Sequence, residues 1–184
     1  MLSNLRDLIP GAQDWPYFVA NESEQYEGRV AMVEARGHSM FLDAMVGSQL
    51  PIAVAHGEGR AVFTSEESQQ RFIDQGLDAL RYVDRTTYTT GDERIAYPMN
   101  PNGSTLNLAA ITTPNGRVLA MMPHPERVVR TESNSFVPSL DWVHGPWAPD
   151  ALFAERLADG HHANVATRQG RFMVGVVGVE ETAT

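Results

Sequence analysis

The sequence contains no cysteine. This absence excludes a disulfide framework and a thiolate zinc site, and it excludes a thiol nucleophile within these 184 residues. A basic cluster is also missing. The 23 acidic residues outnumber the 14 Lys and Arg residues and give a formal net charge of -9. Such a chain has no charged surface suited to a phosphate backbone or an anionic bilayer. We therefore expect no nucleic-acid partner and no membrane partner.

Long apolar runs are scarce as well. No uninterrupted apolar stretch approaches the roughly 18 residues that a membrane helix needs. The first residues also lack the basic, apolar and small-residue regions of a signal peptide. We therefore predict a cytoplasmic protein, and the length favours one compact domain.

Five short runs rich in apolar and β-branched residues predict the strands of one sheet. They are "GRVAMVEA", "LPIAVAHGEG", "ALRYVD", "NLAAITT" and "RVLAMMPH". The capping-box spacing of "TSEE" at 64–67, followed by an apolar stripe, predicts a helix over about 65–76. Asn115-Gly116 between two apolar runs predicts a hairpin. Residues 97–104, "YPMNPNGS", have the turn chemistry of a loop.

The two ends of the chain differ from this pattern. Residues 2–9, "LSNLRDLI", predict a short amphipathic helix before Pro10-Gly11, yet no N-cap precedes it. An uncapped start favours truncation, although a frayed terminal helix has the same pattern. After Trp147 the character changes, and we assign 148–184 to a divergent tail. In it, "APDALFAERLADGHH" could form a helix, and "RFMVGVVGV" reads as a strand or an apolar tail.

The segment "MMPHPERVV", residues 121–129, carries the clearest chemical signal. A residue before proline is pushed toward extended backbone, so Met122 and His124 should both be extended. In an extended segment His124 and Glu126 would point to the same side, and the carboxylate could orient the imidazole. This arrangement is a general base with an orienting acid, which needs only a nucleophile to complete a triad. In the alternative interpretation His124 merely caps a strand and Glu126 is a solvated charge.

A second pair with the same spacing is His56 and Glu58 in "AVAHGEGRA". The glycines beside Glu58 would allow close approach of backbone or ligand. Two His-x-Glu pairs could also form a metal centre of two histidines and two carboxylates, which is a metal-dependent hydrolase hypothesis. We rank it well below the others and assign no metal ligands. His161-His162 is more consistent with an exposed pair in a loop.

The blocks "MLSNLRDLIPGA", "MVGSQLPIAVAHGEGR", "LRYVD", "YPMNPNGS" and "MMPHPERVVRTESNS" together resemble one known family. It is the C-terminal glutaminase domain of phosphoribosylformylglycinamidine synthase, with the bacterial long form as the best match. The resemblance covers roughly residues 1–147, in the family's order. We therefore divide the chain into a partial glutamine amidotransferase domain over 1–147 and the tail over 148–184.

The resemblance implies an α/β fold of the class I glutamine amidotransferase type, which is flavodoxin-like, with a mostly parallel sheet flanked by helices. It implies that a cysteine at a strand-to-helix turn attacks the side-chain amide of glutamine. The ammonia released would pass to a separate synthetase domain for ATP-dependent amidination of formylglycinamide ribonucleotide in purine biosynthesis. No cofactor is expected in this chain, because ATP and Mg would belong to the absent synthetase domain.

By this resemblance His124 is the general base and Glu126 is its orienting partner. Two further segments are expected to lie beside the substrate pocket, without assigned steps. Their candidate residues are His56, Gly57, Glu58, Gly59, Asn100, Asn102, Gly103 and Ser104.

The chain departs from the family at both ends. The family's nucleophilic cysteine lies a few residues before the helix that corresponds to "LSNLRDLI", so the N-terminal strands and the nucleophile elbow are expected to be absent. The expected partners are glutamine, the synthetase domain and the N-terminal half of the glutaminase domain. We predict that the chain alone is inactive as a glutaminase and is marginally stable or self-associating. The competing hypothesis is a non-catalytic glutaminase-like interaction module.

Overall fold

The computed structural model of the protein describes residues 2–37, 39–85 and 93–128, without the side chains of Leu2, Glu126 and Val128. These ranges contain a five-stranded sheet, a two-stranded sheet and one α-helix. The tail over 148–184, with its expected helix and strand, lies outside the described residues. No helix within the described ranges is long and apolar enough to span a bilayer.

The five predicted strands are confirmed, and all belong to the larger sheet, in the order β3-β2-β5-β6-β7. Their bounds are β2 Glu27–Ala35, β3 Gln49–His56, β5 Asp78–Tyr82, β6 Leu108–Thr112 and β7 Leu119–Met121. Two strands of three residues were not predicted: β1 (Tyr17–Val19) and β4 (Arg60–Val62) pair with each other. Segments this short carry no usable apolar period.

The strand directions contradict the mostly parallel sheet that the resemblance implied. Every strand pair among the described residues is antiparallel. Parallel neighbours need a crossover connection that usually contains a helix. Here β6 and β7 form the predicted hairpin around Asn115-Gly116, and α1 (Glu66–Asp74) leads from β4 into β5, which is antiparallel to both of its neighbours.

The helix predicted over about 65–76 is confirmed as α1, although its N-cap is Ser65 and not Thr64, the first residue of the predicted capping box. The hydroxyl of Ser65 accepts a hydrogen bond from the backbone N–H of Ser68 at 3.2 Å, which places the N-cap at Ser65. The helix predicted over 2–9 is wrong, because regular structure there is a 3-10 helix over Leu2–Leu5. A short uncapped segment before Pro10 cannot recover the cost of nucleating an α-helix.

Buried apolar side chains form two clusters that meet at the sheet. The first gathers residues of β2, β3, β5, β6 and β7 beneath Phe41 and Leu42. The second joins α1, through Phe72, to Trp15 and Leu77. Strand β7 shows the division, because Leu119 and Met121 belong to the first cluster whereas Ala120 belongs to the second. Alternate residues of this strand therefore face different clusters.

The sheet curves until its two edges meet. The backbone N–H of His124, just after edge strand β7, donates to the carbonyl of Ala53 in the opposite edge strand β3 at 2.6 Å. This contact brings the carboxyl end of β3 beside the chain that leaves β7. The two histidines singled out in the sequence therefore come together.

Candidate active site

His56 and His124 form the centre of the site. His56 is the last residue of β3, and His124 lies three residues beyond the end of β7. Their ring centroids are 5.8 Å apart and the ring planes are inclined by 47°. Both side chains are buried, with His56 at 7% and His124 at 6% exposure.

The imidazole of His56 has unsatisfied hydrogen-bonding capacity. Neither Nδ1 nor Nε2 has a hydrogen-bond partner of acceptable geometry among the described residues, and both atoms are buried. Burial has the largest effect and lowers the pKa of His56, because the charged ring would lose its hydration. The Asn102 side chain and the Met122 backbone raise this pKa, whereas the nearby His124 lowers it, and the net shift is downward. His56 is therefore held as a neutral ring. The Asn102 side chain and the Met122 backbone lie near enough to influence the ring but make no hydrogen bond of good geometry with it, so the buried ring keeps capacity for a further partner.

Gly59 makes the close packing around His56 possible. A Cβ built on Gly59 would lie 2.2 Å from Nε2 of His56 and 2.6 Å from Nδ2 of Asn102. Gly57 has open space at the same position. The two glycines of "HGEG" therefore have different roles, and only Gly59 is required by close approach. Glu58 between them is exposed, so it does not orient the buried His56 ring.

A buried polar network fixes the loops that surround His56. Asn102 donates to the side-chain oxygen of Asn21 at 2.8 Å and accepts from the hydroxyl of Tyr82 at 2.7 Å. Asn21 in turn donates to the backbone carbonyl of His56 at 2.9 Å and accepts from the N–H of Gly59 at 2.9 Å. Burial raises the pKa of Tyr82, which keeps its phenol a hydrogen-bond donor.

The rest of the "NPNGS" loop is held in the same way. Asn100 donates to the carbonyl of Ser104 at 2.9 Å and accepts from its N–H at 3.0 Å. Asn107 accepts from the N–H of Ile95 at 2.9 Å. The side chains of Asn100, Asn102 and Ser104 are thus engaged inside the protein, and each is at most 1% exposed. In this structure they support the loops beside His56, and Gly103 lies among them with a φ of +72°.

The chain after His124 departs from the extended segment predicted across 124–126. A 3-10 helix covers Pro125–Val128, and the N–H of Arg127 donates to the carbonyl of His124 at 3.2 Å. The extended prediction fails because proline is well suited to the first position of a helical turn. Because this segment is helical, the alternation of side chains along an extended strand cannot predict where Glu126 lies relative to His124. The side chain of Glu126 is among those that the structure does not describe.

The metal hypothesis finds no support among the described side chains, since they contain no group of three or more His, Asp or Glu placed to hold an ion. His161 and His162 fall outside the described residues.

Sequence reasoning missed Asn21 and Tyr82, whose side chains form hydrogen bonds with the side chain of Asn102. Asn21 begins the polar run "NESEQ", which has the composition of a surface loop, so no signal in the sequence distinguishes it.

Comparisons with known proteins agree on one family. The model of the CobB/CobQ-like glutamine amidotransferase domain matches residues 1–157. The chain is 52% identical over 158 residues to phosphoribosylformylglycinamidine synthase of Saccharomyces cerevisiae and 49% identical over 155 residues to that of Schizosaccharomyces pombe. These alignments cover 79% and 80% of this chain and 11% of each yeast protein. The chain thus spans about a tenth of these relatives.

A solved structure has a similar fold. "Structure of PurLQS from Thermotoga maritima" superposes with a TM-score of 0.51 at 21% identity, covering 77% of this chain and 53% of that chain. This likeness establishes a shared fold.

Proposed function

The chain belongs to the CobB/CobQ-like glutamine amidotransferase domain family, and from this premise we propose that it is the C-terminal part of a glutaminase domain of phosphoribosylformylglycinamidine synthase. Its substrate is glutamine, and the ammonia serves the ATP-dependent amidination of formylglycinamide ribonucleotide in a synthetase partner, in the cytoplasm. The observation that carries the proposal is His124, buried at the junction of β3 and β7 beside the His56 ring. The yeast relatives' names supply the reaction.

We assign His124 as the general base and Glu126 as its orienting carboxylate. In this mechanism His124 takes the proton of a cysteine thiol, and the sulfur attacks the side-chain carbonyl of glutamine. The proton passes to the departing nitrogen, ammonia leaves, and water then hydrolyses the thioester to glutamate. The 184 residues contain no cysteine, so the thiol has to come from a polypeptide segment outside them. That segment also supplies the parallel strands expected of the class I amidotransferase fold.

The neutral ring of His56 fits a positioning role in this mechanism. Because His56 carries no charge near neutrality, it does not repel a proton that arrives on His124. The Asn21–Asn102–Tyr82 network holds the backbone at His56 and at the "NPNGS" loop. Gly57, Glu58 and Gly103 are the residues of these loops whose surfaces remain for substrate. The roles of His56 and of these loops depend on the geometry near His124, so the reconstitution experiment that tests His124 also tests them.

The decisive experiment reconstitutes the domain. Purified chain is mixed with a fragment of the Saccharomyces cerevisiae relative that contains the segment preceding the aligned region, and glutamate release is measured. We expect no release by the chain alone and release by the mixture. His124→Ala should reduce it by about a hundredfold to ten-thousandfold, the usual contribution of a general base. His161→Ala, a histidine beyond the family match, is the matched control and should have no effect.

A second candidate function is a non-catalytic interaction module, which the lack of cysteine favours. The same mixture separates the two. Binding of the fragment without glutamine hydrolysis would support the module. Steady glutamate release by the pure chain, lost in His124→Ala, would contradict both the proposed need for an external thiol and the module.

A further inference from the structure

A cavity lies beside the end of the "NPNGS" loop, at Gly103 and Ser104. It has a volume of about 310 Å³ and opens to solvent between β4 and residues 103–106. Its lining includes Glu22, Arg60, Arg94, Ser104, Thr105 and Leu106. Neither His56 nor His124 contributes to the lining. We call it the Arg60 cavity.

Arg60 is the unusual residue of this cavity. Its Nε is buried without a hydrogen-bond partner, and its guanidinium has no ion pair among the described residues. Arg94, which also lines the cavity, is paired with Glu22. An arginine presents five N–H donors in a planar fork, and this one, partly exposed beside the cavity, has donors that can bind an added acceptor.

The walls hold Arg60 in place. The hydroxyl of Ser104 accepts from the N–H of Ala61 and donates to the carbonyl of Gly59, both at 3.1 Å, so both neighbours of Arg60 are anchored. Leu106, which also lines the cavity, has a φ of +55°. A bulky residue rarely adopts this conformation, and such strain is often found at binding sites. The Ser104 hydrogen bonds therefore hold the backbone on both sides of Arg60.

The charges favour an anion. Arg60 and Arg94 against Glu22 leave one net positive charge at this cavity, on a chain whose formal net charge is -9. The two arginines also keep the pKa of Glu22 below its usual value, with Arg94 contributing more than Arg60, so Glu22 stays ionised and paired with Arg94. The arginine fork matches carboxylate and phosphate geometry.

We propose that the Arg60 cavity binds a small oxyanion group, a carboxylate or a phosphate, with Arg60 as its principal ligand. Thr105 offers a hydroxyl at the same wall. Its lining shares Gly103 and Ser104 with the loop that the proposed function places beside the glutaminase site, but anion binding here requires neither a thiol nor His124. It can be tested on the chain as it exists, whatever the outcome of the reconstitution.

The test measures binding of inorganic phosphate and of acetate, separately, by isothermal titration calorimetry at constant ionic strength. We expect one saturable site for at least one probe, and the active probe identifies the group. Arg60→Gln should weaken binding by about tenfold to hundredfold, since hydrogen bonds from a charged donor are lost. Glu22→Gln should tighten it several-fold, because a negative charge is removed from the wall and Arg94 is released.

Two control variants distinguish a specific binding site from non-specific electrostatic attraction of anions. Arg71→Gln removes the same charge from α1, where Arg71 is paired with Asp14, and should leave the affinity unchanged. Arg60→Lys keeps the charge but loses the fork, and should weaken binding less than Arg60→Gln. Variant spectra that match the parent's amide NMR spectrum establish that each protein is folded. Equal binding by the parent and Arg60→Gln, or no saturable binding of either probe, would overturn the proposal.

Discussion

Gly59 lies where the interior has no room for a side chain. A methyl group there would lie 2.2 Å from Nε2 of His56, and Asn102 on its other side is held by two hydrogen bonds. We expect Gly59→Ala to lower the free energy of unfolding by about 2 kcal/mol or more, because packed neighbours must move. Urea denaturation followed by circular dichroism measures the loss.

Gly57 is the matched control in the same motif. A Cβ there meets nothing within 4 Å, so Gly57→Ala should change the free energy of unfolding by no more than about 0.5 kcal/mol. Similar losses for the two variants would contradict the close packing of Gly59 against His56.

His56 should make stability depend on pH. Its pKa is lowered in the folded protein by burial, so the unfolded chain binds more protons than the folded one near the ordinary histidine value of about 6.5. The stabilising contribution is therefore complete above that value and is lost as the pH falls from it toward the lower folded pKa. We expect the free energy of unfolding to decrease on acidification from pH 7 to pH 5.

The contribution of His56 to this pH dependence can be isolated by comparing the unfolding free energies of the parent and a variant that lacks the imidazole. His56→Gln removes the titrating group, so the difference in unfolding free energy between parent and variant should shrink or reverse as the pH falls. Urea titrations at several pH values provide the measurement. A difference that is constant across this range would show that His56 does not titrate in the way its burial requires.

At the residue scale the sequence predicts which side chains belong to the candidate site better than it predicts how they are arranged. Spacing and resemblance single out both His124 and His56, and the structure places their rings together. The arrangement around Glu126 could not be predicted by strand alternation, because Pro125 begins a helical turn. The supporting roles of Asn21 and Tyr82 depend on contacts across 81 and 20 residues of chain with Asn102. No local pattern reports such contacts.

At the scale of elements, α1 offers a direct test of the capping signal. The Ser65 hydroxyl satisfies the N–H of Ser68, and Glu66 and Glu67 complement the positive end of the helix. We expect Ser65→Ala to cost about 1 kcal/mol of unfolding free energy, whereas Ser65→Asp, which can still accept this hydrogen bond, should cost much less. Thermal or urea denaturation of the pair measures this. Equal losses would place the cap elsewhere.

The strand segments were predictable because apolar runs between turn residues record where a chain is buried. Strand direction was not predictable from them, since the apolar period is the same in parallel and antiparallel strands. The direction expected here came from the resemblance, and it fails for the described residues because the segments joined in sequence fold as antiparallel neighbours. The segment at Leu2–Leu5 has the apolar spacing of an α-helix but is too short to form one, and it folds as a 3-10 helix.

At the scale of the whole molecule the sequence gives no indication that the two sheet edges meet. The hydrogen bond from His124 to Ala53 depends on the accumulated curvature of five strands. The same sheet separates two apolar clusters, and strands β6 and β7 contribute residues to both. Because neither cluster can lose the shared strands without exposing the other, we expect the described region to unfold as one cooperative unit.

Trp15 reports on this cooperativity. It is fully buried in the second cluster, and its indole N–H donates to the carbonyl of Thr112 at the end of β6 at 2.8 Å. In a protein with Trp142→Phe and Trp147→Phe, Trp15 becomes the sole tryptophan. Its fluorescence and the far-ultraviolet circular dichroism should then change at the same urea concentration.

Adding Trp15→Phe to that background should lower the circular-dichroism midpoint, with a loss of about 1–3 kcal/mol from the carbonyl left without its donor. Exposure of Trp15 at a urea concentration that leaves the strands intact would mean that the second cluster opens independently. The sheet would then not couple the two halves of the molecule.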